Sequence, residues 1–404
     1  MNRRGFLTGT GLGLATLLAR KHLVAFGAPG SGRKAVVVVV QRGAVDGLAM
    51  VPPHGDPLLA AARPTLAPKL GAGAPAGSGA IDLDGYWGLH AGLAPLLPFY
   101  QAKQLAIVPA VGLPGATRSH FEAQDLLEQG GTVDTTGWAN RVRARPNGPT
   151  DDTAAIAIGN TLPRALAGSA PSIVIEGSGQ LGLARGAPPA RRAQLVAAFT
   201  ELYAQGTDPF SATARRALAS ASRVEQALAA LPAKTAQPKG PIGQALSTAA
   251  RLLRADLGAE LVIVDTGGWD THTAQAQRLD RGFTMLGDAI ALFAAELGDR
   301  LADVTLVTVS EFGRTVRENG TGGTDHGHGS VMMVLGGKVK GGRVLGDFPG
   351  LAEDKLHEGR DLAVTTDFRD VLAEVCELHL GSNDAARIFS GYQLDPSRRL
   401  GLFA

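Results

Sequence analysis

The feature that most constrains the fold is a continuous apolar run near the start of the chain, at residues 35–40, with the sequence AVVVVV. Valine is β-branched and favours an extended backbone. A half-exposed strand alternates apolar and polar residues, whereas a strand of a parallel sheet is buried on both faces and shows no alternation. The run therefore predicts the first central strand of a parallel sheet.

Six further apolar runs alternate with segments of helical periodicity. The runs lie at residues 105–111, 154–158, 172–176, 261–265, 304–309 and 331–335. The helical patterns lie at 121–129, 191–203, 213–231, 244–257, 274–297 and 367–380. This order predicts an α/β domain over residues 33–404, with a doubly wound, mostly parallel sheet and helices on both faces. The Ala-rich stretch at about 191–257 is interpreted as a helical insertion.

The first 28 residues are similar to a twin-arginine export signal. Arg3 and Arg4 precede Phe6 and Leu7, and the mildly apolar run at 7–19 is shorter than the roughly 20 residues of a membrane span. The formal net charge of +2 includes four cations and no acid from this segment, so the remainder carries −2. We therefore expect export to the periplasm or beyond, cleavage near Ala28, and no transmembrane span in the mature chain.

Composition and motifs exclude several classes of function. Cys376 is the single cysteine, which excludes a disulfide framework and a CxxC metal site. Lysines and arginines are dispersed among acids, which argues against a nucleic-acid partner. The chain has no P-loop and no GxSxG motif, and the GxGxxG match at 177–182 is not followed by a helix pattern.

Polar residues that follow the predicted strands are candidates for chemistry, since ligands bind beyond the carboxyl ends of parallel strands. Asp46 follows the first run, although an Asp-Gly pair also forms turns. Asp270 and His272 follow the run at 261–265, where Asp270 could instead cap a helix. Glu311 follows the run at 304–309. Asp325, His326 and His328 lie in a glycine-rich loop before the next strand.

These side chains predict a site for a divalent metal. Carboxylate and imidazole are the ligand types present, and no thiolate accompanies them. Oxygen and nitrogen ligands suit Zn or Mn, with Mg or Ca as alternatives.

Thr117 and Ser119 are candidate nucleophiles at the predicted start of a helix. The positive end of a helix dipole favours an alkoxide or an anionic substrate oxygen there. Both residue types are also common N-caps, and the spacing of Ser119 and Glu122 matches a capping box. The fork of Arg118 fits a phosphate or sulfate group, although a solvated surface arginine is the alternative.

Six motifs, in this order behind the export signal, resemble the bacterial exported family DUF1501, a domain of unknown function related to sulfatases. They lie at residues 41–47, 85–90, 117–125, 268–272, 310–314 and 325–329. The broader resemblance is to the alkaline phosphatase and sulfatase superfamily. It implies an α/β fold with a two-metal site at the carboxyl edge of the sheet.

Carried over by position, this resemblance implies roles for the same residues. Asp46, Glu311, Asp270 with His272, and His326 or His328 look like metal ligands, and Ser119 or Thr117 looks like the nucleophile. Two departures bear on the second metal: Asp270 and His272 are two residues apart where the superfamily has four, and Phe312 stands where a ligand histidine is usual. The CxPSR motif of formylglycine sulfatases does not occur.

The leading hypothesis is an exported metal-dependent hydrolase of a small anionic phosphate or sulfate ester. In it Arg118 or Arg42 holds the anionic group and the cation activates Ser119 or a bound water. One alternative is a non-catalytic accessory or assembly protein of the same fold that binds a cell-envelope component. Another is a transferase that modifies carbohydrate or cell wall.

Overall fold

The valine run forms strand β1, which lies inside a large mixed sheet. The computed structural model describes residues 33–71, 79–115, 117–146, 148–177, 188–232 and 238–403. The predicted export signal at 1–28 lies outside the described residues. In chain order the strands are β1 (Ala35–Gln41), β2 (Lys69–Leu70), β3 (Gly79–Asp82), β4 (Gly88–His90), β5 (Leu105–Gly112), β6 (Ala155–Ile158), β7 (Ile173–Ile175), β8 (Leu261–Thr266), β9 (Val304–Val309), β10 (Ser330–Gly336), β11 (Arg343–Val344) and β12 (Thr366–Asp367).

The α-helices alternate with these strands over much of the chain. They are α1 (Gly47–Met50), α2 (Leu58–Ala62), α3 (Leu97–Gln101), α4 (His120–Gln129), α5 (Trp138–Arg143), α6 (Pro189–Ala204), α7 (Pro209–Ala230), α8 (Gly240–Arg254), α9 (Gln275–Leu297), α10 (Phe368–Glu374) and α11 (Ala385–Ile388). Among the described residues, no helix combines the length and the apolar character needed to cross a membrane.

The large sheet has the strand order β11-β5-β10-β9-β1-β8-β6-β7, with β12 also paired to β5. The pairs β1–β8, β1–β9, β6–β8 and β6–β7 are parallel. Strand β10 is antiparallel to both neighbours, β9 and β5. The α/β prediction with a mostly parallel sheet is therefore confirmed, and the sheet is mixed. The segment at 310–329 that joins β9 to β10 contains no helix, and β10 runs antiparallel to β9.

Strand β1 separates two apolar cores. Val37 and Val39 pack in one core with Phe283 of α9, whereas Val36 and Val38 pack in the other with residues of α5 and α10. All seven residues of β1 are buried. The absence of polar alternation in the sequence thus corresponds to helices on both faces of the sheet.

The segment at 191–257 has two parts that differ in burial. Helix α8 buries Leu246 and Leu253 against the sheet and α9, so it belongs to the layer over one face. Helix α6 buries no side chain among its described residues. No strand occurs in the described part of this segment, as its helical composition predicts.

The carboxyl ends of β1, β5, β8 and β9 meet at one edge of the sheet. Strand β5 runs in the direction of β9 because both are antiparallel to β10. Strand β10 begins at the edge where these four strands end. The loops that carry the candidate residues therefore lie together.

A buried histidine at the opposite edge makes stability depend on pH. His379 lies in the helical turn after α10, and its Nε2 donates to Ala35 O at 3.0 Å and Asp303 O at 3.1 Å. Burial lowers the pKa of His379 to about 4 from its ordinary 6.5. In the unfolded chain His379 is protonated as the pH falls below about 6.5, whereas in the folded protein it is protonated only near pH 4. The free energy of unfolding therefore decreases as the pH falls from 6.5 to 4, by about 3 kcal/mol in total.

We expect His379→Gln, which keeps a donor but does not titrate, to remove this part of the pH dependence. The measurement is urea unfolding of both proteins between pH 7 and pH 4. Because carboxylates also titrate in this range, the informative quantity is the difference between the two curves. Parallel curves would contradict the prediction.

Candidate metal centre

Three side chains from different elements converge at the carboxyl edge of the sheet. His120 is the first residue of α4, Asp270 follows β8, and His326 precedes β10. One ligand atom from each lies within 4.8 Å of the other two. Asp270 Oδ1 is 3.6 Å from His120 Nε2 and 3.3 Å from His326 Nε2. His120 lies 150 positions before Asp270 in the sequence, so the fold brings together distant parts of the chain.

His272 adds a fourth atom to this group. Its Nε2 lies 3.0 Å from Asp270 Oδ1 and 3.1 Å from His326 Nε2. In a tetrahedral zinc site with bonds of about 2.1 Å, neighbouring ligand atoms lie about 3.4 Å apart. The four separations given above, 3.0 to 3.6 Å, are close to this spacing. We call His120, Asp270, His272 and His326 the edge cluster.

The Nδ1 atom of each histidine in the edge cluster faces an oxygen. His120 Nδ1 lies 2.8 Å from Glu311 Oε1, and His272 Nδ1 lies 3.1 Å from Asp325 Oδ1. His326 Nδ1 lies 2.8 Å from the backbone oxygen of Arg118. A carbonyl or an ionised carboxylate can only accept, so we assign the proton of each neutral ring to Nδ1.

This assignment leaves the Nε2 atoms as acceptors that face one another. Two such atoms, on His272 and His326, are only 3.1 Å apart, which is repulsive unless a cation or a proton lies between them. The guanidinium of Arg314 also faces this group, with its Nη1 3.5 Å from His272 Nε2. His120 Nε2 is buried and has no hydrogen-bond partner among the described residues. The donor set of three imidazoles and one carboxylate therefore fits a bound cation.

Glu311 supports the edge cluster through a hydrogen bond to His120 Nδ1. Its carboxylate is fully buried and accepts hydrogen bonds from His120 Nδ1, Gln124 Nε2 and the Gly43 amide at 2.8 to 2.9 Å. Burial acts to raise the pKa of Glu311, but these hydrogen bonds lower it overall. The hydrogen bond to Glu311 in turn raises the pKa of His120 and makes its ring more basic. Gly43 has φ of +115°, and a Cβ there would lie 2.7 Å from the Asp270 amide nitrogen.

Arg314 is a fully buried cation beside Asp270. It donates to the backbone oxygens of Gly43, Ala44 and Thr324 at 2.7 to 3.0 Å, which ties the loops after β1 and before β10. It also donates to Asp270 Oδ1 at 2.5 Å. Burial acts to raise the pKa of Asp270, but hydrogen bonding and charge from Arg314 lower it to about 2. Asp270 is therefore ionised at neutral pH.

The remaining predicted ligands lie around the edge cluster. Asp325 contacts His272, as described above. Asp46 is buried and pairs with Arg63 Nη1 at 2.8 Å and Gln275 Nε2 at 2.6 Å. His328 Nδ1 pairs with Asp361 Oδ2 at 2.8 Å. The structure brings Asp270, His272 and His326 together. Glu311 and Asp325 contact Nδ1 atoms of histidines in the cluster, whereas Asp46 and His328 pair with residues outside it.

Both predicted anion-binding arginines are paired with acids. Arg42 contacts Glu128 Oε1 at 2.6 Å and Asp265 Oδ1 at 3.0 Å. Arg118 contacts the buried Asp361 at 2.7 Å and the exposed Glu358 at 2.6 Å. An anionic ligand would have to replace or share these partners.

The two candidate nucleophiles differ in their hydrogen bonds. Ser119 is the N-cap of α4, is exposed, and makes no side-chain cap hydrogen bond. Thr117 Oγ1 instead accepts from the Ser119 amide at 3.1 Å. The expected capping box is therefore not formed, and the turn is stabilised through Thr117.

Sequence reasoning missed His120, Arg314 and Gln124. His120 directly follows Ser119 at the start of α4, in the segment after β5, so its position relative to the sheet could have identified it. Arg314 and Gln124 act through buried hydrogen bonds, for which the sequence gives no periodic signal. Phe312, noted as a departure, stacks on His120 with ring centroids 4.9 Å apart and forms an apolar wall of the site.

The fold and the site define an α/β protein with a histidine-rich cluster at the carboxyl edge of its sheet. The chain belongs to DUF1501, described as a protein of unknown function, whose family model matches residues 106–390. This confirms the family resemblance. The matched range contains the whole edge cluster. The comparison with curated proteins finds no match for this chain.

Proposed function

We propose that this chain binds one divalent metal ion through the edge cluster and is an exported hydrolase of a phosphate or sulfate ester. The observation that carries the proposal is the convergence of three Nε2 atoms on Asp270 while each Nδ1 is held by an oxygen. Three imidazoles with one carboxylate favour Zn or Mn over Mg and Ca, which prefer oxygen ligands. We propose an alkaline-phosphatase-like fold and twin-arginine export on the strength of the sequence motifs.

Hydrolysis is proposed from the surroundings of the cluster. A divalent cation at such a site polarises an ester oxygen and lowers the pKa of a bound water. Ser119 presents an exposed hydroxyl at the N-terminus of α4, next to His120, where the helix dipole favours negative charge. Arg118 lies on the same loop, and its pairing with exposed Glu358 is the weaker of its two contacts because exposed ion pairs contribute little.

The test is hydrolysis of aryl phosphate and aryl sulfate esters by protein loaded with Zn²⁺ or Mn²⁺. EDTA is expected to abolish turnover. If Ser119 is the nucleophile, Ser119→Ala should lower kcat by at least about 1,000-fold, as for other covalent catalysts. Thr200→Val, at an exposed position of α6 outside the candidate site, is the control and should retain most of the activity. Turnover that survives EDTA would contradict the proposal.

A second candidate is a non-catalytic accessory protein of the same family. The pairing of both Arg42 and Arg118 with carboxylates favours it, because neither guanidinium is left to bind an anion without an exchange of partners. A protein that binds metal, hydrolyses neither ester and co-purifies with a stable cell-envelope partner would support this alternative.

A further inference from the structure

A buried amide connects Asp46 to both loops of the edge cluster. Gln275 is the first residue of α9, and only 1% of it is exposed. Its Nε2 donates to Asp46 Oδ2 at 2.6 Å. Its Oε1 accepts from Thr271 Oγ1 at 2.9 Å and from Thr324 Oγ1 at 2.6 Å. One side chain thus makes three hydrogen bonds to three separate segments.

The two threonines are adjacent to cluster residues along the chain. Thr271 lies between Asp270 and His272, and Thr324 is two residues before His326. Both threonines are fully buried. The Thr324 amide also donates to Thr271 O at 3.3 Å, so the loops contact each other directly. Each hydroxyl thus ties one ligand-bearing loop to the same amide oxygen.

The orientation of the Gln275 amide is determined by its partners. The Asp46 carboxylate can only accept and so requires the NH₂ group, whereas the threonine hydroxyls donate to the amide oxygen. Asp46 is itself fixed, since it accepts from Arg63 Nη1 at 2.8 Å and from the Ala49 amide at 3.1 Å. The amide is therefore anchored through Asp46, the N-cap of α1, and bonds to the cluster loops from there.

We propose that Gln275 is a positioning residue of the metal centre and that Asp46 acts through it. This inference rests on the proposed metal site. Ligand atoms must be held within about 0.5 Å of their working positions, which requires hydrogen bonds from outside the ligand set. Gln275 supplies such bonds to the loops that carry three of the four residues of the edge cluster.

The test is a Co²⁺ titration followed by the visible d–d spectrum, which reports coordination geometry as well as affinity. Gln275→Leu keeps the approximate volume but removes the three hydrogen bonds. We expect its Co²⁺ affinity to fall by about 10- to 100-fold, the usual cost of losing an outer-shell partner, with an altered spectrum. Gln277→Leu is the matched control, because Gln277 is exposed on the same helix. It should bind like wild type.

The paired replacement of Thr271 and Thr324 by valine gives an independent measurement. It removes both hydroxyls while keeping the β-branched shape, and we expect a similar loss of affinity. Combined with Gln275→Leu it should add little, since the two hydrogen bonds that it removes are already absent in that variant. If Gln275→Leu does not fold, the double valine variant tests the positioning role by itself.

The possible results separate the two proposals. A wild-type protein that binds no Co²⁺ would overturn the metal centre itself. If wild type binds Co²⁺, wild-type affinity and spectrum in folded Gln275→Leu, or in the double valine variant, would overturn the positioning role alone.

Discussion

His326→Ala is expected to lower the affinity for Zn²⁺ or Mn²⁺ by at least about 100-fold. The reason is that His326 Nε2 lies within 3.3 Å of both Asp270 Oδ1 and His272 Nε2. Loss of an outer-shell partner typically costs about 10- to 100-fold in metal affinity, and loss of a ligand should cost at least the upper end of this range. The measurement is elemental analysis of the dialysed protein together with a competition titration against a chelator.

His328→Ala is the matched control for this prediction. His328 is two residues further along the same loop, but its Nδ1 pairs with Asp361. Its replacement should leave one equivalent of metal bound. Equal loss of metal in both variants would show that the loop as a whole, and not the edge cluster, determines binding. Metal retained in His326→Ala would contradict the proposed centre.

The largest expected effect on stability comes from Arg63. Its side chain is completely buried, and it donates to Asp46 Oδ2 at 2.8 Å and to the backbone oxygens of Val316 and Thr315 at 2.9 Å. Arg63→Met leaves the buried Asp46 carboxylate without its counter-ion. Removal of one partner of a buried ion pair costs about 3–5 kcal/mol. We expect the free energy of unfolding to fall by this amount.

The measurement is urea unfolding near neutral pH, with Arg281→Met as the control. Arg281 is exposed on α9, so its replacement should change the free energy of unfolding by no more than about 0.5 kcal/mol. A similarly small effect of Arg63→Met would mean that Asp46 does not depend on its guanidinium partner. The two arginine variants lose the same charge, which separates the effect of burial from the effect of net charge.

The sequence predicted the large strands well because their signal is local. The apolar runs at 35–40 and 304–309 coincide with β1 and β9 to within one residue at each end. Strands β2, β3 and β4 and helix α1 were not predicted. They contain two to four residues each, which is too short for a periodic pattern to develop.

Part of the candidate site was also predictable, because the order of strands along the chain indicates which loops meet. Parallel strands end at a common edge, so residues in the loops that follow them were expected to meet, and Asp270, His272 and His326 do lie together. Asp46 and His328 satisfy the same criterion along the chain but pair with Arg63 and Asp361. Those partners lie 17 and 33 positions away, respectively, and no motif connects them.

By itself, the sequence determined the family, the α/β class and the edge of the sheet at which polar residues collect. These follow from the order and apolar character of segments, which local composition encodes. Only the tertiary structure decided which carboxylates and imidazoles face one another, which arginines are already paired, and that His120 completes the cluster. Side-chain pairing depends on distances and orientations between segments that are far apart in the chain. Local sequence patterns do not determine these distances and orientations.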